Sequence, residues 1–252
     1  MKLPIVLSTW VLFAAGAMAQ NAPDVWPMPS PLPALAQGAN PAAVPFPRMD
    51  WFQRIINTNA KAQASAGQIE LIFDGDSITD NWRGPGKEVW QKYYGNRNAF
   101  DFGIGGDRTE HVLWRLSQGQ VNNLHPKLVA LMIGTNNTGG NSAEQIAEGI
   151  KAIVTDYQKR CPETVILLQA VFPRGEKADN PVRAKIKQIN EIISSLGDGK
   201  KVIYVDFGDK FLQPDGTLSR DIMPDFLHPN AAGYEIWANA IAPIVEKYVP
   251  AK

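Results

Sequence analysis

A serine at the end of an apolar run is the first residue whose position suggests chemistry. The segment IFDGDSITDNW, residues 72–82, passes from apolar into acidic and hydroxyl residues. Gly75 permits a sharp turn, and a helix that begins after it would point its N–H groups at the Ser77 hydroxyl. Ser77 is therefore a candidate nucleophile, although Thr79 replaces the second glycine of the lipase pattern G-x-S-x-G. The alternative is a serine that only caps the next helix.

A serine nucleophile needs a base, and the sequence contains three histidines. His111 lies within the apolar-periodic run RTEHVLWRL, and His125 lies in a link between elements. His228 lies in DFLHPNAAGY, three residues after Asp225, so that this carboxylate can accept the Nδ1 proton and leave Nε2 free as a base. Ser77, His228 and Asp225 are thus the candidate catalytic set. A surface His-Pro turn is the alternative interpretation of the DFLHP segment.

Acyl transfer also needs hydrogen-bond donors for the oxyanion that develops on the carbonyl oxygen, each worth roughly 10²- to 10³-fold in rate. The glycine-rich segment GIGGD, residues 103–107, and the amide side chains of GTNN, residues 134–137, are the candidates. The first has an alternative as a helix-entry turn, because Asp107 and Glu110 stand in capping spacing. The second has an alternative as a loop that needs left-handed backbone angles.

The elements that must position these residues alternate along the chain. Five segments have the apolar, β-branched character of buried strands: residues 68–73, 99–103, 127–134, 164–171 and 201–207. Near-continuous apolar strands that alternate with helices predict a parallel sheet covered on both faces, in one α/β domain over residues 50–252. Ser77, GIGGD and GTNN follow strands, and the carboxyl ends of parallel strands share the edge where ligands bind. The DFLHP loop lies just before the last helix and can reach across to this edge.

Helical periodicity separates the strands. Asp50 is expected to cap a helix that runs to about residue 64. Ser142 and Gln145 have capping-box spacing at the start of another helix, and a third is expected over residues 182–196. A last helix is expected over residues 233–248, where Pro243 should bend or split it.

The N-terminal residues have the pattern of a targeting signal. Lys2 precedes an apolar centre at residues 5–15, and Ala17-Met18-Ala19 has the small-residue cleavage pattern. The apolar run is shorter than the roughly 20 residues that span a bilayer, so we expect a cleaved signal peptide at residues 1–19 rather than a membrane anchor. This predicts export to the periplasm or the medium. Residues 20–49 are rich in proline and are expected to form an extended arm.

The amino-acid composition limits the kinds of binding partner that we expect. Of 252 residues, 44% are hydrophobic, and 25 basic residues balance 25 acidic ones, so no net field favours nucleic acid or anionic lipid. No second long apolar run predicts integral membrane association. Cys161 is the single cysteine, which excludes an intramolecular disulfide and favours a small core or helix-end residue. His, Asp and Glu show no H-E-x-x-H clustering, so no metal or other cofactor is implied.

Four blocks carry a family resemblance. FDGDSIT, FGIGGDRT, IGTNN and DFLHP occur in the order and rough spacing of the GDSL, or SGNH, hydrolases, over residues 68–248. The continuation GIGGDRTEHVLWRL resembles the branch that contains the platelet-activating-factor acetylhydrolase catalytic subunits and many bacterial secreted acetylesterases. The resemblance implies a flavodoxin-like three-layer α/β/α sandwich with a mainly five-stranded parallel sheet.

The resemblance also implies roles. Ser77 is similar to the family nucleophile, whose amide also serves the oxyanion hole, and Gly106 and Asn136 resemble the other two oxyanion donors. Asp225 and His228 resemble the family's DxxH pair. The second block departs from the frequent Asn-Phe-Gly, because Asp101 stands in place of the asparagine. We expect this change to affect support of the loop rather than chemistry.

The expected activity is that of a secreted, metal-independent serine esterase that removes short acyl groups, above all acetyl, from a carbohydrate or another small molecule. The competing interpretation is a lysophospholipase or a phospholipid acetylhydrolase of the platelet-activating-factor type. A noncatalytic carbohydrate-binding module on the same fold is the alternative of a different class. Trp82, close after Ser77, is either a stacking platform for a sugar ring or a buried support of the turn. The sequence predicts no oligomeric state.

Overall fold

A parallel sheet with helices on both faces forms the centre of the protein, in a computed structural model that describes residues 35–252. The predicted signal peptide and the first part of the arm lie outside these residues. Within the described part the sheet has five strands in the order β2-β1-β3-β4-β5, all parallel. The strands are β1 (Leu71–Gly75), β2 (Ala99–Asp101), β3 (Leu128–Met132), β4 (Val165–Gln169) and β5 (Val202–Val205). The predicted flavodoxin-like architecture is confirmed.

Seven α-helices accompany these strands in the described part of the chain. They are α1 (Phe52–Ala64), α2 (Ser77–Asp80), α3 (Lys87–Tyr94), α4 (Thr109–Ser117), α5 (Ala143–Arg160), α6 (Pro181–Ser194) and α7 (Ala231–Tyr248). None of the helices within residues 35–252 combines the length and apolarity that crossing a membrane would require.

Alternation along the strands explains the three layers. In β1 the side chain of Ile72 belongs to a buried cluster that includes residues of α4, α5 and α6, whereas Leu71 and Phe73 belong to a second cluster that includes residues of α2, α3 and α7. Every residue of β1, β3 and β4 is buried, as expected for strands covered on both faces. The apolar runs in the sequence therefore correspond to the central strands.

The predicted cap of α5 is confirmed, and two further helices have asparagine caps that the sequence analysis did not name. The Ser142 hydroxyl and the Gln145 side chain form the predicted reciprocal capping box of α5. Asn180 caps α6, whose first residue is a proline, and Asn230 caps α7. The expectation that Pro243 would split the last helix is wrong, because α7 runs unbroken through it, with Ile241 and Val245 buried on either side of the proline.

The beginning of α1 differs from the prediction. Asp50 does not cap this helix, since Trp51 occupies the N-cap position and makes no side-chain capping bond. The Asp50 carboxylate instead accepts hydrogen bonds from the Arg48 guanidinium, at 3.1 Å from Nε and 2.9 Å from Nη2. An ion pair with a nearby arginine thus replaces the expected cap.

The end of the proline-rich segment packs on α4 and α5. The Asn40 side chain donates to the Gln145 carbonyl at 2.9 Å, and the Thr109 hydroxyl donates to the Ala42 carbonyl at 2.7 Å. Ala42 is completely buried. A Cβ on Gly149 of α5 would lie 2.3 Å from the Ala42 carbonyl oxygen, so this approach requires a glycine. Residues 40–48 are therefore packed as part of the α/β body.

Candidate active site

The strand order creates a crevice between β1 and β3. From β1 the chain continues to β2 on one side, and from β3 it continues to β4 on the other, so the winding direction reverses between these two neighbours. Ligands of open α/β sheets bind at such a switch point, beyond the carboxyl ends of the strands. Ser77 follows β1 and Asn136 follows β3.

Ser77, His228 and Asp225 meet at this edge. The Ser77 Oγ lies 2.8 Å from His228 Nε2, although 151 residues separate them in the chain. His228 Nδ1 lies 2.6 Å from Asp225 Oδ2. The ring is thus held between a carboxylate and a hydroxyl, in the order that lets Nε2 accept the hydroxyl proton.

The Asp225 carboxylate also shapes its own loop. Its Oδ1 accepts hydrogen bonds from the Leu227 N–H at 3.0 Å and the His228 N–H at 2.8 Å. Burial opposes ionisation of this group, but the hydrogen bonds from His228 and Leu227 outweigh it, so the pKa of Asp225 lies below its usual value. Between Asp225 and Leu227, Phe226 adopts a left-handed conformation with φ of 60°. The carboxylate therefore remains ionised and fixes the loop that carries the imidazole.

Ser77 is the first residue of α2, where N–H groups lack partners within the helix. Asp76 caps this helix, because its Oδ1 accepts the Ile78 N–H at 2.9 Å. Gly75 lets the turn lie against β3: a Cβ at this position would come 2.2 Å from the Met132 carbonyl oxygen. The strand-to-helix turn thus presents both the hydroxyl and the N–H of Ser77 at the sheet edge.

The loop of Gly105 and Gly106 lies beside this turn. A Cβ placed on Gly105 would be 3.9 Å from the Ser77 Cβ, and Gly106 has the left-handed φ of +78° that favours glycine. Within residues 35–252 the Gly106 N–H has no hydrogen-bond acceptor. Asn136 donates one Nδ2–H to the Asp107 carbonyl at 2.9 Å and has a second N–H for another acceptor. The predicted donors thus border one small region.

A network of buried ion pairs, which the sequence analysis did not predict, lies next to the loop of Gly105 and Gly106. The Arg115 guanidinium lies 2.9 Å from Asp107 Oδ2 and 2.9 Å from Asp74 Oδ1, and all three side chains are essentially inaccessible to solvent. The Tyr157 hydroxyl donates to Asp74 Oδ2 at 2.6 Å. Burial raises the pKa of Asp107 to about 6, against the opposing effect of Arg115. The sequence signal for this network was Asp74, a charged residue within the apolar strand β1, because a buried carboxylate needs a partner.

The start of α4, in the second block, does not have the capping arrangement of Asp107 and Glu110 that the sequence analysis considered. Asp107 pairs with Arg115 rather than capping α4, and the His111 ring accepts the Arg108 N–H at 3.0 Å. Burial, with the charge of Arg48 as the next cause, lowers the pKa of His111 to about 3. His111 is consequently neutral and structural, as its place in an apolar helix predicted.

Asp101 and Trp82 support the loops around the site. Asp101 Oδ1 accepts the Gly103 N–H at 2.7 Å, and its Oδ2 lies 3.3 Å from Arg83 Nε, consistent with the loop-supporting role expected of it. Trp82 is only 1% exposed and packs on Tyr234 and Trp237. It therefore cannot offer its face to a sugar ring in this arrangement.

A cleft of about 970 Å³ adjoins the catalytic set and is lined by Asn136 and Asp225. Its other walls carry the polar residues Thr135, Thr138, Arg174, Glu176, Asn180 and Lys185 and the apolar residues Pro181, Val182, Phe226 and Leu227. The Lys185 ammonium donates to the carbonyls of Thr138 and Asn141, at 2.8 and 3.0 Å. The space next to Ser77 thus suits a ligand with hydroxyl or charged groups.

Comparison with known proteins identifies the class to which this site belongs. The chain matches the GDSL-like Lipase/Acylhydrolase family over residues 73–236 and is a member of it. It is 36% identical over 202 residues to the human platelet-activating factor acetylhydrolase IB subunit alpha1. The aligned region covers 77% of this chain and 85% of that protein. The protein is accordingly a carboxylic ester hydrolase that acts on small-molecule esters.

Solved structures share the fold at lower identity. A GDSL-like lipase from Bacteroides thetaiotaomicron superposes with a TM-score of 0.62 at 22% identity, covering 77% of this chain and 97% of its own. The acetyl xylan esterase AlAXEase superposes with a TM-score of 0.61 at 24% identity, covering 70% of this chain and 100% of its own. At these identities the comparison establishes the α/β fold.

Proposed function

We propose that the enzyme removes short acyl groups, above all acetyl, from a carbohydrate, through an acyl-enzyme on Ser77. The observation that carries the proposal is the chain of two short hydrogen bonds from Ser77 through His228 to Asp225, at 2.8 and 2.6 Å. A serine that only capped a helix would not need an imidazole from the far end of the chain at its hydroxyl.

The reaction begins when Ser77 Oγ attacks the ester carbonyl and His228 Nε2 takes its proton. Asp225, held ionised by its hydrogen bonds, stabilises the imidazolium. The N–H groups of Ser77 and Gly106 and the Asn136 side chain donate to the oxyanion. His228 then protonates the leaving alcohol. In the second half, His228 activates a water that attacks the acyl-enzyme, releases the acid and returns the proton to Ser77.

Two kinds of relatives support a short acyl group. The names of the human subunit and of AlAXEase both specify an acetyl ester, although the alcohols differ. The polar cleft beside Ser77, with Arg174, Glu176 and Lys185 in its walls, favours an alcohol portion rich in hydroxyl or charged groups over a long hydrocarbon. Acetylated carbohydrate combines both features without a long hydrocarbon chain.

A phospholipid acetylhydrolase or lysophospholipase is the second candidate. The observation in its favour is the 36% identity to the platelet-activating factor acetylhydrolase subunit, which exceeds the 24% identity to the acetyl xylan esterase. An acetyl group on a glycerophospholipid would present the same carbonyl to Ser77, so a phospholipid acetylhydrolase differs from the carbohydrate esterase only in the alcohol portion. A lysophospholipase would differ in the acyl portion as well, because its substrate carries a long acyl chain.

Purified wild-type protein should first be tested with p-nitrophenyl acetate, butyrate and octanoate, with the Ser77→Ala variant as control. We expect turnover that falls with chain length and is abolished in the variant. Acetate release should then be compared between acetylated xylo-oligosaccharides and a short-chain 2-acetyl glycerophosphocholine, at matched concentrations. A higher kcat/KM on the lipid would replace carbohydrate with the second candidate. No p-nitrophenyl acetate turnover by folded wild-type protein would refute the catalytic assignment itself.

The proposed cellular site is the periplasm or the medium, on the grounds of residues 1–19. Expression of the full chain in a bacterial host, followed by cell fractionation and N-terminal sequencing, tests this. We expect the mature protein outside the cytoplasm, beginning at Gln20. Retention of an intact N-terminus in the cytoplasm would contradict it.

A further inference from the structure

Arg48, at the end of the proline-rich segment, reaches the loop of the proposed oxyanion donors. Its Nη1 donates a hydrogen bond to the Gly105 carbonyl oxygen and lies 3.5 Å from Asp107 Oδ1. The guanidinium covers Gly106: a Cβ built on this glycine would lie 2.7 Å from Nη1 and 2.9 Å from Nη2 of Arg48. A residue outside the four family blocks thus contacts the loop directly.

The hydrogen bond from Arg48 matters for catalysis because its acceptor is the Gly105 carbonyl oxygen. The Gly105 carbonyl and the Gly106 N–H belong to the same planar peptide unit. A cationic donor at the carbonyl oxygen fixes the orientation of that unit and draws electron density toward the oxygen, which makes the N–H at its other end a stronger donor. That N–H is the one proposed to bind the oxyanion, and it has no acceptor within the described residues.

We propose that Arg48 is a positioning residue for the reaction: it orients and polarises the Gly105–Gly106 peptide so that the Gly106 N–H stabilises the oxyanion. The preceding peptide is held as well, because the Gly105 N–H donates to Asp80 Oδ2 at 3.0 Å. Gly105 is therefore fixed at its N–H by a carboxylate and at its carbonyl by a guanidinium. This inference rests on the proposed serine esterase mechanism.

Arg48 is itself held in place by its neighbours. Asp50 accepts from both Nε and Nη2, and the Trp51 ring lies 5.7 Å from the guanidinium carbon. Eight residues earlier, Asn40 anchors the same segment on α5 through the Gln145 carbonyl. The segment that precedes the α/β core thereby becomes a functional part of the site, since its docking determines where the guanidinium lies.

The test compares Arg48→Met and Arg48→Lys with wild-type enzyme on p-nitrophenyl acetate. Removing one direct oxyanion donor costs about 10²- to 10³-fold in rate, and Arg48 acts through such a donor, so we expect kcat of Arg48→Met to fall about 10- to 100-fold. KM should change by less than about threefold, because the substrate ground state needs the oxyanion donors little. Arg48→Lys keeps the charge but not the bidentate geometry and should be intermediate.

Arg97→Met is the matched control. Arg97 is about as buried as Arg48, with 14% against 17% of the side chain exposed. It also donates to backbone carbonyls, those of Tyr93 and Val249, and to the Glu246 carboxylate. Arg97→Met should lower the melting temperature about as much as Arg48→Met does and leave kcat unchanged. Rescue provides a second readout: guanidinium chloride at sub-denaturing concentration should restore part of the kcat of Arg48→Ala and none in Ser77→Ala.

The outcomes separate this inference from the proposed function. If wild-type enzyme turns over the ester and folded Arg48→Met retains kcat within twofold, Arg48 is not a positioning residue while the esterase assignment stands. Equal losses of kcat in Arg48→Met and Arg97→Met, without guanidinium rescue, would reduce Arg48 to a contributor to stability. A wild-type enzyme without turnover refutes the proposed function, and the positioning role is refuted with it.

Discussion

The Asp76→Asn substitution should make the protein more stable at alkaline pH. Asp76 is completely buried beside the nucleophile, its Oδ1 caps α2, and its Oδ2 has no hydrogen-bond partner among residues 35–252. Burial, followed by repulsion from Asp107, raises the pKa of Asp76 from 3.8 to about 7. Asparagine keeps the oxygen that accepts the Ile78 N–H and removes the charge that has no partner.

The direction and the size of the expected stability change follow from the raised pKa of Asp76. The folded state binds the proton more tightly than the unfolded state, so the free energy of unfolding decreases as pH rises from 3.8 to about 7 and is constant above that. Between pH 5 and pH 8 about two units of the shift take effect. At 1.36 kcal/mol per unit, wild-type protein should lose about 3 kcal/mol more stability over this interval than Asp76→Asn.

Urea unfolding followed by far-ultraviolet circular dichroism at pH 5 and pH 8 measures the difference. Asp215→Asn is a suitable control, because hydrogen bonds from Thr217 hold the pKa of this exposed carboxyl below its usual value. The stability that Asp215 contributes is lost only at lower pH, so this variant should parallel wild type between pH 5 and pH 8. Parallel curves for wild type and Asp76→Asn would refute the argument, since they would mean that the buried carboxylate ionises without cost.

Three further substitutions test the site and its support. Asp225→Asn should lower kcat by about 10²- to 10⁴-fold with the fold retained, because an amide does not stabilise the imidazolium; steady-state kinetics and circular dichroism check this. Gly106→Ala should lower kcat at least about tenfold, since φ of +78° and the nearby Arg48 guanidinium both disfavour a Cβ. An unchanged kcat would show that the loop adjusts freely. Arg115→Met should cost about 3–5 kcal/mol in urea unfolding, because it leaves the carboxylates of Asp74 and Asp107 buried without their cation; a loss below about 1 kcal/mol would contradict this.

Local sequence signals accounted for most of the architecture. The apolar run at residues 127–134 contains β3, because a strand covered on both faces has no polar alternation to interrupt it. The capping box of Ser142 and Gln145 depends on residues three positions apart and was visible for that reason. Ser77 could be placed at the carboxyl edge of the sheet because it follows a buried strand, and His228 was selected as its base because Asp225 lies three residues before it.

Contacts that depend on the path of an irregular segment could not be predicted in this way. The spacing of Asp50 ahead of α1 suits an N-cap, but the carboxylate is drawn to Arg48, and the bend that brings these side chains together has no periodic signal. Arg115 has the sequence appearance of a solvent-exposed helix residue, and its two buried partners are separated from it by 8 and 41 positions. The contact between Arg48 and Gly105 spans 57 positions, and Arg48 lies outside every motif.

The aromatic cluster around Trp82 links the turn of the nucleophile to the C-terminal helix. The Tyr234 hydroxyl, buried in α7, donates to the Ile78 carbonyl at 2.5 Å, one residue after Ser77, and the Trp82 ring lies 4.4 Å from the Tyr234 ring and 5.0 Å from that of Trp237. The turn that carries the nucleophile is therefore tied to the helix that begins directly after the His228 loop. A substitution that loosens this cluster should change the distance between the serine hydroxyl and the imidazole without touching either.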